Sequence, residues 1–412
     1  MQDDHFIQKG TKMKLIIKVI RDKYWSLYFA ALKLLGFIIL FFLYIVKPFK
    51  FVKLLPIIHT RIGHLASNTD LFLRRLQLKR REKEGIFYLG VSGKPVNQQL
   101  LTMFKRKLPI IQNDHVHRIL NSSPLNKSPF YEPLPCMTNE YYEFNNTEPN
   151  LYFTASEEKK GKKLLKKMGI NDNSWFVCFH SRDSAYLEKE HSSSDREKWR
   201  YHDYRDSDIE NYLKAAEYIT SQGGYAIRVG KVINKKLPDL NNPQIIDYAT
   251  KYRSDFGDIY LHAKCKFSLG DTAGIWSLPT IFHVPVAEVN FTATFQHTPL
   301  RKGDLFIPKK VWSIKDNRFL TFREIMESKL GTFQRSQDFA EAGVVLVENT
   351  ADEILDLAKE MNQRLDGKFK TAKEDEELQK KFRSLYKPHY WGYGSPARTG
   401  TKFLRENKEL LT

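Results

Sequence analysis

The chain has 412 residues, of which 42% are hydrophobic and 13% aromatic, enough for two ordinary domains with separate cores. Its formal net charge of +18 is concentrated in residues 1–107, which hold 21 Lys and Arg against 6 Asp and Glu. The rest of the chain is nearly balanced, which argues against a protein that wraps nucleic acid and favours contact between the N-terminal part and an anionic membrane surface.

An apolar segment spans residues 25–46 and contains one charge, Lys33. Basic residues lie on both sides of it, so the positive-inside rule gives no orientation. These residues are Lys14, Lys18, Arg21, Lys23, Lys47, Lys50 and Lys53. Three interpretations stay open: a single membrane span, a helix or hairpin that enters one leaflet and returns, and a buried core helix. We expect the protein at the cytoplasmic face of the plasma membrane, where nucleotide-activated substrates are found.

Residues 51–60 predict a first strand, although Pro56 weakens it. Asn68 and Thr69 are good N-cap residues, and the sequence predicts a helix that begins at Leu71. A second strand is expected at 85–91, a basic helix at 97–107, a long loop or lid at 121–150, and a charged helix at 155–168 that ends at Gly169 and links two domains.

Regular βα alternation begins at residue 175. The predicted strands are 175–183, 225–229, 243–248, 265–269 and 285–290, and the predicted helices are 208–222, a turn at 258–263, one that begins at 272, and 350–365. Charged helices follow residue 372. The cysteines, Cys136, Cys178 and Cys265, lie too far apart for a zinc motif, and two of them fall in apolar strands, which favours a reducing compartment.

Three of the apolar runs end in small, basic or hydroxyl-bearing residues, as expected where a parallel sheet presents its ligand-binding edge. Arginine and lysine supply positive charge there, and glycines let the backbone approach an anion closely. A helix that starts at 272–274 would add its free N–H groups and its dipole. The candidate diphosphate-binding residues are Arg182, Arg228, Gly230, Lys231, Ser268, Gly270, Asp271, Thr272, Ala273 and Gly274.

Structural explanations stay open for several of these residues. Asp271 could serve only as an N-cap, Arg228 could be a surface arginine, and Arg182 could simply pair with Asp183.

Candidate catalytic residues are His180, Asp183 and His64. Histidine transfers protons near neutral pH, and Asp183 could orient it or bind an acceptor hydroxyl. Candidate acceptor-side residues are Arg61, Gly63, His202 and Arg205. His64 could equally be a structural histidine, and the acidic residues near 206–208 could merely cap a helix. No carboxylate pair is placed to hold a divalent metal and no phosphate-loop motif occurs, so we expect a metal-independent enzyme that needs no cofactor besides its nucleotide-sugar substrate.

Six segments carry a family resemblance when they are taken together. They are RIGHLASNTD at 61–70, HSRDSAYL at 180–187, YHDYRDSDI at 201–209, AIRVGK at 226–231, SLGDTAGIWSLP at 268–279 and GSPARTGTKFLREN at 394–407. They resemble a family of bacterial glycosyltransferases of surface-polysaccharide loci, and HSRD and IRVG also resemble the donor loops of the O-fucosyltransferase-like superfamily. The resemblance implies a GT-B-like α/β fold, with two Rossmann-like domains facing a cleft and the nucleotide sugar bound mainly by the C-terminal one.

The resulting expectation is a membrane-associating segment at 1–50, an acceptor-side domain at 51–150, a nucleotide-sugar-binding domain at 151–370 and a helical tail at 371–412. The predicted function is transfer of a sugar from a nucleotide-sugar donor to a lipid-linked or growing polysaccharide acceptor. The alternative is a non-catalytic, membrane-docked scaffold of a polysaccharide assembly complex, which would need the basic N-terminus but not the three convergent loops.

Overall fold

A computed structural model describes residues 2–78, 85–122, 124–136, 140–183, 200–233, 235–292 and 295–411. Within these ranges, the side chains of residues 2–20 and 200–202 are not described.

The strands form three sheets. They are β1 Phe51–Pro56, β2 Ile86–Ser92, β3 Ile110–Gln112, β4 Phe176–His180, β5 Tyr225–Arg228, β6 Ile245–Asp247, β7 Ser268–Gly270, β8 Val286–Phe291, β9 Leu305–Pro308, β10 Lys310–Ser313, β11 Arg318–Phe319, β12 Val344–Val347 and β13 Arg398–Thr399. The main sheet has the order β13-β9-β8-β7-β4-β5-β6 and is parallel throughout, β1-β2-β3 is a smaller parallel sheet, and β11-β10-β12 is antiparallel. The predicted α/β class is confirmed.

Helices alternate with these strands. They are α1 Gln2–Val46, α2 Ile62–Leu78, α3 Gln98–Lys105, α4 Asp114–Ser122, α5 Tyr141–Asn146, α6 Ala155–Lys167, α7 Leu213–Ser221, α8 Tyr248–Lys251, α9 Asp255–Lys264, α10 Ser277–Ile281, α11 Phe322–Glu327, α12 Ser336–Glu341, α13 Ala351–Leu365, α14 Lys373–Arg383 and α15 Thr401–Glu406. Short 3-10 helices occur at Pro124–Lys127, Arg200–Arg205, Ile209–Tyr212, Gly274–Trp276, Lys329–Thr332 and Lys408–Leu411.

The chain divides into two compact units. Unit 1 comprises residues 1–60, 79–96 and 104–134, and unit 2 comprises 61–78, 97–103 and 135–412. Unit 1 is built on the small parallel sheet, and unit 2 contains the seven-stranded sheet and its core. Helix α2, which carries the 61–70 motif, therefore packs within unit 2 although it follows β1 in sequence.

Local sequence signals explain several element boundaries. Helix α6 begins with a capping box between Thr154 and Glu157, and it ends just before Gly169, whose φ of 78° few other residues adopt. Strand β4 is buried along its whole length, which matches its unbroken apolar run.

Three expectations at the start of the chain are wrong in detail. Helix α2 begins at Ile62 rather than at Leu71, because Asn68 is buried inside the helix and donates to the backbone oxygen of Pro135 (2.6 Å) instead of capping. The segment 121–150 is not one loop, since it contains the end of α4 and all of α5. Residues 25–46 form no hairpin, because α1 continues through them unbroken.

A buried arginine organises the packing of α2 inside unit 2. Arg74 is fully buried and pairs with Asp70 (2.5 Å) on the same helix. It also donates to the Thr147 hydroxyl (2.8 Å), the Ile281 backbone oxygen (3.0 Å) and His283 Nε2 (2.7 Å). Burial, with Arg301 and Arg74 nearby, lowers the pKa of His283 to about 3, so its neutral ring accepts this bond. Arg74 thus joins α2 to the end of α10.

We expect Arg74→Met to lower the free energy of unfolding by about 3–5 kcal/mol, because it leaves the Asp70 carboxylate buried without its partner. Adding Asp70→Asn should recover part of the loss, since no charge is then stranded. The control is Arg323→Ala, which breaks an exposed pair with Glu327 (3.5 Å) and should cost less than about 1 kcal/mol. Urea titrations measure the free energy of unfolding of the three variants. If Arg74→Met loses no more stability than the control, Arg74 does not organise the packing of α2.

Candidate functional site

The main sheet of unit 2 reverses its strand order between β4 and β7. From β4 the chain proceeds through β5 to β6 on one side, and from β7 through β8 to β9 on the other. In open parallel sheets, ligands bind at the carboxyl ends of the strands beside such a switch point. His180 ends β4 and Gly270 ends β7, and the two are register partners. The predicted HSRD and GDTAG loops therefore leave the sheet side by side.

The carboxylate of Asp271 joins the two loops. Its Oδ2 accepts hydrogen bonds from the Arg182 backbone N–H (2.7 Å) and the Ser207 hydroxyl (2.7 Å), and Ser207 lies 3.0 Å from the Tyr212 hydroxyl. Burial raises the pKa of Asp271 to about 6, and the bond from Arg182 opposes this shift. The N-cap explanation for Asp271 is wrong, because the following 3-10 turn is preceded by Ala273 and has no side-chain cap.

His180 lies against the backbone of Gly270. A Cβ on Gly270 would be 2.2 Å from His180 Cε1, so only glycine leaves room for the imidazole. His180 is 4% exposed, and its Nε2 is 3.4 Å from Asp271 Oδ1. Burial lowers the pKa of His180 to about 4, so the ring is neutral at pH 7 and this contact is not an ion pair. His262 is also buried and neutral, with a pKa lowered to about 4 by burial and, in part, by His180.

Basic side chains lie beside the Asp271 network. The Arg182 guanidinium forms an ion pair with Asp206. Burial, with Arg205 nearby, lowers the pKa of Arg182 to about 10. Lys309 is also buried, and its Nζ donates to the backbone oxygens of Tyr204 (3.2 Å) and Asp206 (2.7 Å). The segment 204–206 is therefore held by cations from two distant parts of the chain.

Arg228 ends β5, next to β4. It is 2% exposed, so the surface-arginine explanation is wrong. Its nearest carboxylate is Asp247, with Nη1 and Oδ2 3.7 Å apart, and Nη1 makes no hydrogen bond to any residue that the structure describes. Burial lowers the pKa of Arg228, while Asp247 and Asp183 oppose this shift. A buried guanidinium with an unused donor thus stands at the carboxyl edge of the sheet.

The first turn of α2 meets the loop after β7. A Cβ on Gly63 would lie 2.9 Å from the Cα of Gly274, so the two backbones touch where neither residue has a side chain. This contact brings Arg61 and His64 toward the loop at 270–274. His64 is half-buried, its Nδ1 is 3.2 Å from Asn68 Oδ1, and burial together with Arg61 lowers its pKa.

The helix expected to start at 272–274 starts there only as a 3-10 turn, and the α-helix follows it. A 3-10 turn begins at Gly274 and α10 has five residues, and the Thr272 hydroxyl accepts a hydrogen bond from the Thr292 backbone N–H (3.3 Å) instead of capping a helix. Helix α2, with 17 residues, instead provides the long helix whose N-terminus lies at this loop. Free N–H groups in its first turn are suited to an anion.

The predicted residues thus fall into three groups. His180, Arg182, Asp183, Arg228, Gly270, Asp271, Thr272, Ala273, Gly274, Arg61, Gly63 and His64 lie on the loops at the switch point or on the helix turn that meets them. Lys231 is exposed and follows Gly230, which has a φ of 154°. Arg205 lies near Arg182, and Ser268 is buried at the start of β7, away from the carboxyl edge. The His202 side chain and residues 184–199, which include part of the HSRDSAYL segment, lie outside the described part of the chain.

Sequence reasoning missed Glu288 and Lys309. Glu288 lies in β8, is the register partner of Gly270 and is 3% exposed. Burial raises its pKa to about 8, the Thr272 hydroxyl offsets part of this shift, and Asp271 adds to it. The sequence held a signal for each residue. Glu288 is an acidic residue inside the apolar run at 285–290, and Lys309 directly follows the apolar run at 305–308.

No side chains among the described residues group as three or more His, Cys, Asp or Glu able to hold a metal ion. In the comparisons with known proteins, no family model and no curated protein matches the sequence.

Several solved structures are weakly similar. A glycosyl transferase of family 9 from Veillonella parvula is 9% identical over 57% of this chain and 79% of that chain, with a TM-score of 0.34. The ADP-heptose LPS heptosyltransferase II of E. coli is 11% identical over 62% of this chain and 89% of that chain, with a TM-score of 0.42. TibC, an iron-containing dodecameric glycosyltransferase of enterotoxigenic E. coli, is 10% identical over 61% of each chain, with a TM-score of 0.32. Likeness this weak carries no inference about activity, so the functional argument rests on the site itself.

Replacing Glu288 by Gln should change how stability depends on pH. The folded protein keeps a proton on Glu288 up to about pH 8, whereas the unfolded chain loses it near pH 4.5, so the wild type loses stability as pH rises between these values. The slope is about 1.4 kcal/mol per pH unit. Urea titrations from pH 4 to 9 should show the free energy of unfolding of Glu288→Gln rising relative to that of the wild type across this pH range. Outside the range, the difference between the two should be constant. Parallel profiles would mean that Glu288 is ionised in the folded state.

Proposed function

We propose that the chain is a membrane-associated, GT-B-like glycosyltransferase that uses a nucleotide-sugar donor. The single observation that carries this proposal is Arg228, a buried guanidinium with an unused donor at the carboxyl edge of the sheet, beside the switch point. A buried cation without full hydrogen bonding is costly unless an anion completes its environment. A diphosphate supplies that anion, and guanidinium binds phosphate oxygens in a bidentate manner.

The neighbouring groups suit the departing diphosphate of such a donor. Arg182 adds a second guanidinium, and the first turn of α2 adds backbone N–H groups beside Gly274. Preorganised donors of this kind stabilise charge as it develops on a leaving group. Asp271 holds the two loops in place through the Arg182 backbone and Ser207, and its carboxylate thereby fixes the positions of the cationic groups.

The acceptor hydroxyl needs a base, and the three candidates differ in their surroundings. Asp183 is partly exposed and close enough to Arg228 to influence its charge. His64 is half-buried at the first turn of α2, and a lowered pKa leaves its ring neutral and able to accept a proton. His180 is neutral but almost fully buried, which suits a group that positions the loop better than one that meets the acceptor.

The finer assignments rest on the sequence. The apolar, basic N-terminus supports a place at the cytoplasmic face of the plasma membrane and a lipid-linked or growing surface glycan as acceptor. The domain boundaries at 50, 150 and 370 remain predictions. A non-catalytic scaffold is the rival function; it would gain nothing from the unused Arg228 donor, so nucleotide binding distinguishes the two.

Replacing Arg228 by Ala should weaken binding of a nucleoside diphosphate roughly 10- to 100-fold, because a hydrogen bond to a charged group is worth about 1.5–3 kcal/mol. Arg228→Lys keeps the positive charge but loses the paired N–H donors of the guanidinium. Its affinity for the nucleoside diphosphate should therefore lie between those of Arg228→Ala and the wild type. Calorimetric titration with ADP, UDP and GDP measures the effect. Arg318→Ala, which removes an exposed arginine paired with Glu324, is the control. Wild-type affinity in folded Arg228→Ala would place the diphosphate elsewhere.

Transfer should persist in excess EDTA, since cationic side chains and helix N–H groups, rather than a metal, would neutralise the leaving diphosphate. Asp183→Asn and His64→Ala should separate the candidate bases: loss of the true base lowers kcat about 100- to 10,000-fold with little change in donor affinity. His180→Ala should affect both quantities if it positions the loop. Loss of turnover in EDTA with rescue by Mg²⁺, Mn²⁺ or Fe²⁺ would overturn the metal-independent mechanism.

A further inference from the structure

Helix α1 has one face packed on unit 1. The side chains of this docked face are Tyr28, Leu32, Ile39, Leu40 and Leu43, and they contact a core cluster on β1, β2, α4 and the 3-10 helix after α4. Their spacing of three, four and seven residues places them along one side of the helix. The helix is therefore fixed to a folded unit over about 16 residues, or roughly 24 Å at 1.5 Å per residue.

The opposite side of α1 is apolar and exposed. Its outer face consists of Leu27, Leu34, Ile38, Phe41 and Ile45, which are between 44% and 73% exposed. At 3.6 residues per turn these positions lie roughly 180° from the docked face. Residues 21–46 are also long and apolar enough to cross a membrane by length and composition. A contiguous apolar stripe of this kind needs a partner.

Polar groups of unit 1 lie beside the middle of α1. The Tyr28 hydroxyl is 3.3 Å from His115 Nδ1 and accepts a hydrogen bond from Arg118 (3.4 Å), both on α4. If α1 crossed the bilayer, its docked face would carry these α4 groups into the hydrocarbon region, where charged and polar side chains are strongly disfavoured. Crossing is therefore incompatible with the docked face.

The position of Lys33 leads to the same conclusion. It lies at the centre of residues 21–46, so a spanning helix would place its ammonium at the middle of the bilayer. Around the helix axis, Lys33 lies between the docked and outer faces, roughly 90° from each. In a helix parallel to the membrane, this border is at the level of the lipid headgroups, which the long lysine side chain reaches readily.

We propose that α1 lies in the plane of one leaflet of an anionic membrane, with its outer face among the acyl chains and its docked face held on unit 1. The proposal rests on the membrane association suggested above and specifies its geometry. Basic residues at both ends of the apolar segment 21–46 then face the same headgroup layer, which explains why they give no spanning orientation. They include Arg21, Lys23, Lys47 and Lys50, all exposed.

Charge favours lipid over a second copy of the chain. Two outer faces packed side by side in either direction would bring the basic ends of the apolar segments near each other, with Asp22 as the one acidic residue among the described side chains of α1. Anionic headgroups are attracted to the same residues. The outer face and its basic ends thus fit a negatively charged lipid surface.

Thiol labelling distinguishes the in-plane from the spanning arrangement. In a Cys136→Ser background, the full chain receives Asp22→Cys and Phe49→Cys, one cysteine near each end of the exposed segment; the remaining native thiols, Cys178 and Cys265, are buried. After reconstitution into sealed vesicles of phosphatidylglycerol and phosphatidylcholine, a membrane-impermeant maleimide is added outside and the intact mass is measured. An in-plane helix gives chains with two labels or none, whatever their orientation. One label per chain would overturn the proposal.

Vesicle flotation tests the outer face itself. Phe41→Glu should lower the bound fraction on phosphatidylglycerol vesicles at least 10-fold, and wild-type binding should be much weaker on phosphatidylcholine alone. Ile314→Glu, which alters an apolar side chain of unit 2 that is 62% exposed, is the matched control and should bind like the wild type.

The outcomes also separate this proposal from the proposed function. Wild-type chain that fails to bind any vesicle, or that forms a lipid-independent dimer lost in Phe41→Glu by light scattering, overturns both the in-plane helix and membrane association. The proposal that the chain binds a nucleotide-sugar donor is tested separately, through Arg228→Ala, and neither of these two outcomes bears on it.

Discussion

The buried carboxylate of Asp271 is the interaction on which the candidate site depends. It accepts hydrogen bonds from the backbone after β4 and from Ser207, and it is within 3.4 Å of His180. These partners come from two other parts of unit 2, the end of β4 and the segment at Ser207, so one side chain fixes the positions of both relative to its own loop. Because Asp271 is fully buried, each of its hydrogen bonds is stronger than it would be in water, and each missing bond would be correspondingly costly.

Close backbone approach is the second constraint. Gly270 leaves space that His180 fills, and Gly63 meets Gly274 where a side chain on either would collide with the other's main chain. The second contact, together with Arg74, holds α2 within unit 2. The first turn of a long helix is thereby brought to the carboxyl edge of the sheet, where its N–H groups add to the positive charge of Arg182 and Arg228.

Burial of charge distinguishes the site from an ordinary strand edge. Arg228, Lys309, Asp271 and Glu288 are all at most 3% exposed and all lie at or near the carboxyl edge of the sheet. Such a concentration of desolvated ionisable groups is expensive for folding and is typical of functional sites. The cost is consistent with a site whose electrostatics are completed when a charged ligand binds.

The sequence by itself determined the α/β class, most strands of the main sheet, the glycine that ends α6 and the loops that carry the basic residues. These features depend on residues that are close in sequence, which form apolar runs, glycine turns and capping boxes. They can therefore be predicted from the sequence alone. The tertiary structure alone decided that α2 joins unit 2, that Arg228 is buried, that Asp271 binds Ser207 instead of capping a helix, and that Lys309 and Glu288 belong near the site. Each of these facts depends on which strands become neighbours: Lys309 and Asp206 are 103 residues apart in the chain and meet only because β9 and the segment after β4 lie in one folded unit.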